Sequence, residues 1–209
     1  MLNMQNHSYT IIETPVGLIV PIWITKPHFY LLRLYILNSS SAITNMFKEL
    51  DKMGFITKDP NLQFSEDFNV KTLENLFNGY SLFSRSKHHH IEDLKKSLNL
   101  YFTAKINIEF PSDLLCFEKC SLFTCIVLHT LKNVQFGQVL TYGRLATLAG
   151  YPKAYRAVGS AMSKNQFPLI IPCHRIIRSN GNVGEFALGK DMKEYLLQHE
   201  SQSPINFKV

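Results

Sequence analysis

The sequence has no acidic residue at 65 consecutive positions, from 120 to 184, in a chain of 209 residues. The same stretch contains seven lysines and arginines. A solvated surface normally mixes both signs, so an acid-free stretch of this length indicates a polyanionic partner. Residues 111–209 hold 11 basic and 6 acidic side chains, so they carry +5 of the net charge of +6.

The sequence also lacks a hydrophobic run of about 18 residues, the length needed to span a bilayer. The apolar stretch 11–23 is interrupted by Glu13, Thr14, Pro15 and Gly17. No basic segment with a small-residue cleavage site accompanies it, so it predicts strands and not a signal peptide. We therefore expect a cytoplasmic protein with no membrane partner.

Cysteine is scarce, and four cysteines do not make a disulfide framework in a chain of this size. Cys116 and Cys120 have no second Cys or His pair at ligand spacing, which favours buried thiols over a zinc site. The histidines at 88–90 cannot all face one point on a helix or strand, so a solvated turn is favoured over a metal site. We expect no metal and no cofactor.

Composition and pattern predict two domains, residues 1–110 and 111–209. Residues 8–38 alternate β-rich runs with Pro and Gly, which is typical of hairpins in a sheet. Residues 91–102 have helical spacing, so the amino-terminal domain is predicted to be α/β. One face of that helix is formed by Leu94, Leu98 and Tyr101.

The second domain changes to helical patterns. Thr141 is a predicted N-cap for a helix that runs to Leu148 and ends at Gly150. Pro152 cannot continue that helix, so a second helix is expected over 153–164. Two short helices joined by a tight turn indicate a helix-turn-helix.

The second of these helices is rich in small side chains, with Arg156 among them. Small side chains let a helix backbone approach another surface closely, either a neighbouring helix or a DNA groove. The basic, acid-free context favours the groove. The small residues are Ala154, Ala157, Gly159, Ser160 and Ala161.

A cysteine follows the proline-bounded apolar run 167–172, which predicts a buried extended segment delivering Cys173 to a fixed position. A cysteine in such a run is commonly an inert core thiol. The neighbours favour reactivity, because His174 can take the thiol proton and Arg175 adds positive potential, and both influences lower a thiol pKa.

Glu200 is predicted to lie at the carboxyl end of the last helix, where the helix dipole disfavours an anion. An important carboxylate at that position needs a cationic partner, and His174 is the candidate. The predicted apolar face of this helix comprises Met192, Tyr195, Leu196 and His199.

Five segments together form a recognisable pattern. They are QVLTYGRLA at 138–146, RAVG at 156–159, Asn165, IPCHRII at 171–177 and KEYLLQHE at 193–200. In this order and spacing the chain resembles the O6-alkylguanine-DNA alkyltransferases, the methylated-DNA–protein-cysteine methyltransferases, over roughly residues 121–200. The amino-terminal region matches that family only loosely, at 13–17 and 100–102.

The resemblance implies an α/β, ribonuclease-H-like amino-terminal domain and a mainly α carboxy-terminal domain with a helix-turn-helix. It implies a monomer that repairs double-stranded alkylated DNA without a cofactor. An alkyl group, typically methyl, would pass irreversibly from O6 of a flipped guanine to Cys173, with O4 of thymine as a second candidate position. His174 and Glu200 would act through a water to form the thiolate, and Tyr142 would protonate the leaving guanine at N3.

The same likeness gives roles to the surrounding residues. Arg156 would replace the extruded nucleotide, Asn165 would brace the turn after the recognition helix, and the main chain at Cys173 and Ile176 would hold the exocyclic amine. Further DNA contacts are expected from Ala154, Tyr155, Ala157 and Gly159, and the pocket from Pro168, Phe186 and Ala187. Tyr155, Phe186 and Leu188 depart from the residues usual in the family, namely a small residue, tyrosine and glycine.

Three other functions are compatible with parts of the pattern. A non-catalytic protein that binds alkylated DNA and recruits repair partners would use the same surface, although such relatives usually lack the cysteine. A transcriptional regulator would use the helix-turn-helix alone and bind a spaced palindrome. A Cys-His hydrolase would turn over many times, but no oxyanion loop is evident.

Overall fold

The computed structural model describes residues 7–25, 28–53, 69–78, 83–117 and 120–201. It divides into two compact units. The first extends to Glu92 and includes Leu114–Cys116, and the second comprises Asp93–Asp113 and the chain from Phe117 onward. The division therefore falls earlier than the predicted boundary at residue 110. The reason is that residues 93–113 contact the carboxy-terminal part of the chain through their side chains, as described below.

The first unit contains a five-stranded sheet. Its strands are β1 (His7–Tyr9), β2 (Ile12–Thr14), β3 (Gly17–Ile24), β4 (Tyr30–Leu37) and β5 (Phe83–Arg85). Strand β3 pairs antiparallel with β1, β2 and β4, whereas β1 pairs parallel with β5. Gly17 permits the tight β2–β3 turn, since its φ is +110° and a Cβ there would lie 2.4 Å from the Leu37 carbonyl oxygen.

Two helices of the first unit follow the hairpins. They are α1 (Ser40–Lys52) and α2 (Val70–Asn78). Ser39 caps α1, because its hydroxyl accepts the Ala42 amide. Serine is one of the preferred residues at a helix N-cap. The helices and sheet bury a common apolar core that includes Val20, Ile22, Ile43 and Phe77.

The second unit is mainly helical. Its elements are α3 (His89–Ala104, from Asp93 onward), α4 (Leu122–Lys132), β6 (Leu140–Thr141), α5 (Tyr142–Leu148), α6 (Tyr155–Met162), β7 (Ile176–Ile177) and α7 (Lys190–Glu200). The prediction of a sheet-containing amino-terminal region and a helical carboxy-terminal region is confirmed. In the part of the chain that the structure describes, no helix is long and apolar enough to cross a membrane.

The predicted pair of short helices is present with slightly different bounds. Thr141 is the N-cap of α5 and its hydroxyl accepts the Arg144 amide at 3.1 Å. Gly150 lies just beyond the helix with a φ of +84°, a backbone conformation that residues with a Cβ rarely adopt. Helix α6 begins at Tyr155, two residues later than expected.

The histidines at 88–90 do not form a solvated turn, because His89 and His90 open helix α3. His88 precedes them and stacks on Phe29 with ring centroids 4.5 Å apart. Among the described residues, no group of three or more His, Cys, Asp or Glu side chains has an arrangement that could hold a metal ion.

Candidate active site

A short parallel pairing brings the two halves of the site together. Leu140 of β6 pairs with Ile176 of β7, and Thr141 pairs with Ile177. Tyr142 directly follows β6, and a short 3-10 turn, Cys173–Arg175, directly precedes β7. The pairing therefore places the Tyr142 phenol near the cysteine, although the two residues are far apart in sequence.

The apolar run before Cys173 is buried, as predicted, but it is not extended. The Ile171 amide donates to the Phe167 carbonyl at 2.8 Å, which closes a turn. Leu169 has a φ of +71° inside that turn and is buried. The run therefore forms a compact bend before the Cys173 turn.

Asn165 holds the thiol directly. Its Nδ2 donates to Cys173 Sγ at 3.0 Å and to the Ile171 carbonyl at 2.9 Å. Its Oδ1 accepts the Phe167 amide at 3.0 Å, which fixes which end of the amide faces the sulfur. Asn165 therefore both braces the turn and presents a donor to the sulfur.

The thiol pKa differs from the expectation. Burial raises the pKa of Cys173 above its usual value, and the hydrogen bond from Asn165 and the charge of Lys193 only partly oppose this. The Arg175 guanidinium, which was expected to lower the thiol pKa, is bound to Glu200. At neutral pH Cys173 rests as a thiol, so a base has to remove its proton before it can act as a nucleophile.

Helix α7 presents a different face from the predicted one. Its buried residues are Lys193, Leu196, Leu197 and Glu200, whereas Tyr195 is exposed. Glu200 is thus buried at the end of the helix, and the candidate partner His174 lies against it, although the cation that pairs with it is Arg175. His174 Nε2 lies 2.8 Å from Glu200 Oε1.

Arg175 is the permanent counter-charge of Glu200. Its Nε donates to Oε2 at 2.8 Å and its Nη2 to Oε1 at 2.9 Å, so the pair is bidentate and buried. The Tyr101 hydroxyl and the Gly137 amide also donate to this carboxylate. Burial alone would raise the pKa of Glu200, but the hydrogen bonds and charges of His174 and Arg175 lower it to about 2.

The ionised carboxylate decides the tautomer of His174. Burial lowers the pKa of His174 below its usual value, so the ring is neutral at neutral pH. A neutral imidazole next to a carboxylate carries its proton on the nitrogen that faces it, here Nε2. Nδ1 is then an acceptor, and it has no hydrogen-bond partner among the described protein groups.

Lys193 is a site residue that the sequence analysis missed. It is 1% exposed, and its Nζ donates to the Ile176 carbonyl at 2.5 Å and to the Glu185 carbonyl at 3.4 Å. Burial lowers the pKa of Lys193 to about 8, while the nearby Cys173 opposes that shift. The one available signal was its position three residues before Leu196 on the same helical face.

Tyr142 is half-buried and close to the thiol. Burial raises the pKa of Tyr142, and the charge of a Cys173 thiolate raises it further. The phenol therefore stays protonated at neutral pH. Its ring lies beside Gly159 of α6, where an added Cβ would be 4.0 Å from the ring carbon Cε1.

Helix α6 presents an exposed basic and apolar surface. Tyr155, Arg156 and Ala157 are exposed, and Ala154 and Gly159 are partly exposed. The Arg156 guanidinium lies over the Tyr155 ring, 5.8 Å from its centroid. The predicted small-residue surface is thus open on this unit except at Ala161, which is buried, and the bulky Tyr155 lies at its beginning.

The predicted pocket residues differ in how they are placed. Ile176 is fully buried, Pro168 is partly buried and forms a bridge with Ile171, and Ala187 is exposed. The Phe186 ring lies edge-on to His174 with centroids 6.5 Å apart. Phe186 therefore lies beside the His174 ring.

Comparison with known proteins supports the same identification. Residues 122–202 match the family model described as 6-O-methylguanine DNA methyltransferase, DNA binding domain. The methylated-DNA–protein-cysteine methyltransferase of Homo sapiens is 47% identical over 107 residues, which cover 49% of this chain and 52% of the human protein. The chain thus spans about half the length of that relative.

The matches to two further proteins extend over a larger share of each protein. The fold is shared with the crystal structure of Mycobacterium tuberculosis O6-methylguanine methyltransferase, with a TM-score of 0.61, 21% identity and 96% of each chain covered. The methylated-DNA–protein-cysteine methyltransferase of Methanocaldococcus jannaschii is 35% identical over 126 residues, 60% of this chain and 73% of that protein. Because the match extends over most of that relative, the chain belongs to the methylated-DNA–protein-cysteine methyltransferase family.

Proposed function

We propose that the protein repairs DNA by moving an alkyl group, typically methyl, from O6 of guanine to Cys173 in a single irreversible step. O4 of thymine is a second candidate position. The observation that carries the proposal is a pair of hydrogen bonds around the cysteine. Asn165 donates to the Cys173 thiol, and Glu200 holds the adjacent His174. No cofactor is needed for this transfer.

His174 is the proposed base. With Nε2–H donating to Glu200, its Nδ1 takes the Cys173 proton through a bridging water and the ring becomes an imidazolium. Glu200 stabilises that imidazolium, and Arg175 keeps the carboxylate ionised throughout. The Asn165 amide stabilises the thiolate as it forms, since a hydrogen bond to the charged form favours it.

The transfer itself is one displacement. The thiolate attacks the alkyl carbon, the new bond joins sulfur to carbon, and the bond from carbon to O6 breaks. Its electron pair passes to the guanine, which receives a proton at N3 from the Tyr142 phenol. The thioether has no ready route of hydrolysis, so each molecule acts once.

The base must leave the duplex before this chemistry is possible, because O6 lies within the stack. We assign α5 and α6 as a helix-turn-helix that approaches the minor groove with the small residues of α6. Arg156 fills the place of the flipped nucleotide. The main-chain carbonyls of Cys173 and Ile176 accept the exocyclic amine, and each keeps one lone pair after its contact with the Ile176 amide or with Lys193.

The finer features of the fold belong to the same proposal. Four strands joined by antiparallel pairings, followed by β5 parallel to β1, support a ribonuclease-H-like arrangement for the first unit. Double-stranded DNA as the preferred partner, a monomeric state and a cytoplasmic location remain predictions.

Intact-protein mass measurement tests the function. After incubation with a duplex that contains O6-methylguanine, the protein should gain one methyl group per molecule, and fragment mapping should place it on Cys173. Cys173→Ala should bind the duplex with nearly unchanged affinity and gain no methyl group. Unmodified wild-type protein that still binds the duplex would favour the non-catalytic alternative, and methyl on Cys116, Cys120 or Cys125 would contradict the site.

A further inference from the structure

Tyr101 contacts the proposed site from outside the matched domain. It lies in α3, whereas the family model begins at residue 122. Its side chain is fully buried, and its hydroxyl donates to Glu200 Oε1 at 2.7 Å. The same oxygen lies 2.8 Å from His174 Nε2, so phenol and imidazole share one acceptor.

The surroundings fix the orientation of the phenol. The Tyr101 ring meets Phe136 edge-on at 5.5 Å and packs against His199 at 5.3 Å between centroids. The His199 ring nitrogen Nε2 lies 3.1 Å from the Tyr101 carbonyl oxygen. These contacts hold α3 against the end of α7, where Glu200 is located.

A second residue of the same segment supports Arg175. Asn107 Oδ1 accepts from Arg175 Nη1 at 3.0 Å, and the Val134 carbonyl accepts from the same nitrogen. Residues 93–113 therefore contact both members of the buried ion pair. No residue of this segment takes part in the proposed chemistry, yet Tyr101 binds the Glu200 carboxylate on which His174 depends.

We propose, on the basis of the function above, that Tyr101 is a positioning residue for alkyl transfer. Its hydroxyl fixes Glu200 Oε1 against His174 Nε2 and limits how strongly the carboxylate attracts the imidazole proton. Tyr101 touches neither the thiol nor the reacting base, and its action passes through Glu200.

The physical reason is competition for one oxygen. A donor that withdraws electron density from Oε1 weakens the attraction of the carboxylate for the proton on Nε2, and this makes the imidazole less basic. The charged and titratable groups around His174 are Glu200, Arg175 and Lys193. Those around Tyr101 are Glu200, Arg175, Tyr195 and His199.

Two substitutions of the full-length chain should act in opposite directions. Tyr101→Phe removes the donor, so His174 becomes more basic and the acid limb of the single-turnover pH profile moves to higher pH. Glu200 Oε1 also loses one of the groups that fix it against His174, so the plateau rate should fall about tenfold, a typical scale for coupling within one hydrogen-bond network. Site-specific 3-fluorotyrosine at position 101 keeps the shape but donates more strongly, so it should move the acid limb to lower pH.

Tyr35→Phe is the matched control. Tyr35 is a largely buried tyrosine of β4 in the first unit, and the charged side chains near its hydroxyl are Arg33 and Glu49. Its hydroxyl deletion should change thermal stability without moving the acid limb. A purely structural role for Tyr101 predicts the same behaviour for Tyr101→Phe and no reversal with fluorotyrosine.

Titration of His174 by NMR provides a readout that does not need activity. An unchanged His174 pKa in both Tyr101 variants would overturn the positioning role, even if transfer slowed through loss of stability. If wild-type protein gained no methyl group, the proposed function would fail, whereas the His174 titration would still decide the role of Tyr101. If Tyr101→Phe does not fold, the fluorotyrosine protein alone decides it.

Discussion

Replacing Glu200 by glutamine removes the negative charge at the centre of the proposed base. The carboxylate accepts from His174, from two nitrogens of Arg175, from Tyr101 and from the Gly137 amide. A glutamine side chain keeps the shape but turns one of the two acceptor atoms into a donor. At least two of these donors then face another donor.

The expected loss of stability follows from Arg175. In Glu200→Gln its guanidinium becomes an uncompensated buried charge, and breaking a buried pair in this way costs about 3 to 5 kcal/mol. The rate of alkyl transfer near pH 7 should fall about a hundredfold or more, the lower range for the loss of a general base. Part of the rate should return at higher pH as the Cys173 thiol ionises without help.

Single-turnover transfer between about pH 6.5 and 9, which spans the ordinary thiol pKa, measures the catalytic effect. Thermal or denaturant unfolding measures the stability. Glu194→Gln is the control, since Glu194 lies on the same helix, pairs only with Lys190 in the described structure and is solvent-exposed enough to contribute little. An unchanged rate at every pH would remove Glu200 from the mechanism.

The same substitution should change the acid sensitivity of the protein. A glutamate with an unfolded pKa of about 4.3 and a folded pKa of about 2 contributes roughly 3 kcal/mol above pH 4.3. Because the folded pKa is depressed, this contribution is present at neutral pH and is lost as pH falls from about 4.3 towards 2. The stability of Glu200→Gln should therefore depend less on pH in that window than the stability of wild type. Equal slopes for both proteins would show that the carboxylate is not held in its ionised form.

Four further substitutions test other parts of the structure. Arg156→Ala should slow transfer from duplex DNA far more than transfer from free O6-benzylguanine, if the pocket admits that base; equal losses would place Arg156 in the pocket or core. Lys193→Met should raise the Cys173 thiol pKa, measured by iodoacetamide reaction against pH, because the charge that lowers it is removed; an unchanged profile would deny that contribution. Gly150→Ala should cost about 1 to 2 kcal/mol of stability for backbone strain alone, since φ is +84° and no atom lies within 4 Å of the added Cβ. Gly143→Ala, inside α5, should instead be neutral or stabilising by up to about 1 kcal/mol.

The sequence was a reliable guide where one local pattern dominates. Thr141 caps α5 because a hydroxyl at that position accepts the first free amides of the helix. Leu94, Leu98 and Tyr101 share a buried face because their spacing follows the helical period. The partnership of Glu200 with His174 was inferred from a helix end at which an unpaired anion is unfavourable.

The buried face of α7 was predicted one residue out of phase. Lys193 is charged, so the pattern left it out of the apolar face and gave the core to Met192 and Tyr195, whereas a partner was predicted for Glu200. In the structure both charges are buried and have partners: two backbone carbonyls for Lys193, and Arg175, Tyr101 and His174 for Glu200. Such burial depends on groups that arrive from distant parts of the chain, and one sequence does not reveal them.

The thiol pKa illustrates a conflict between two effects that the sequence presents together. Neighbouring His174 and Arg175 suggested a low pKa for Cys173, yet the apolar run that delivers the cysteine also buries it, and burial raises its pKa. For the proposed single-use reaction a protonated resting thiol has an advantage, because a thiol is a poor nucleophile and reacts slowly with stray oxidants and electrophiles. In the proposed mechanism the thiolate forms only when His174 removes the thiol proton. The buried Glu200–Arg175 pair contributes by keeping His174 neutral, so that its ring can accept the thiol proton. A carboxylate without Arg175 beside it would raise the pKa of His174 and would not keep the ring neutral in this way.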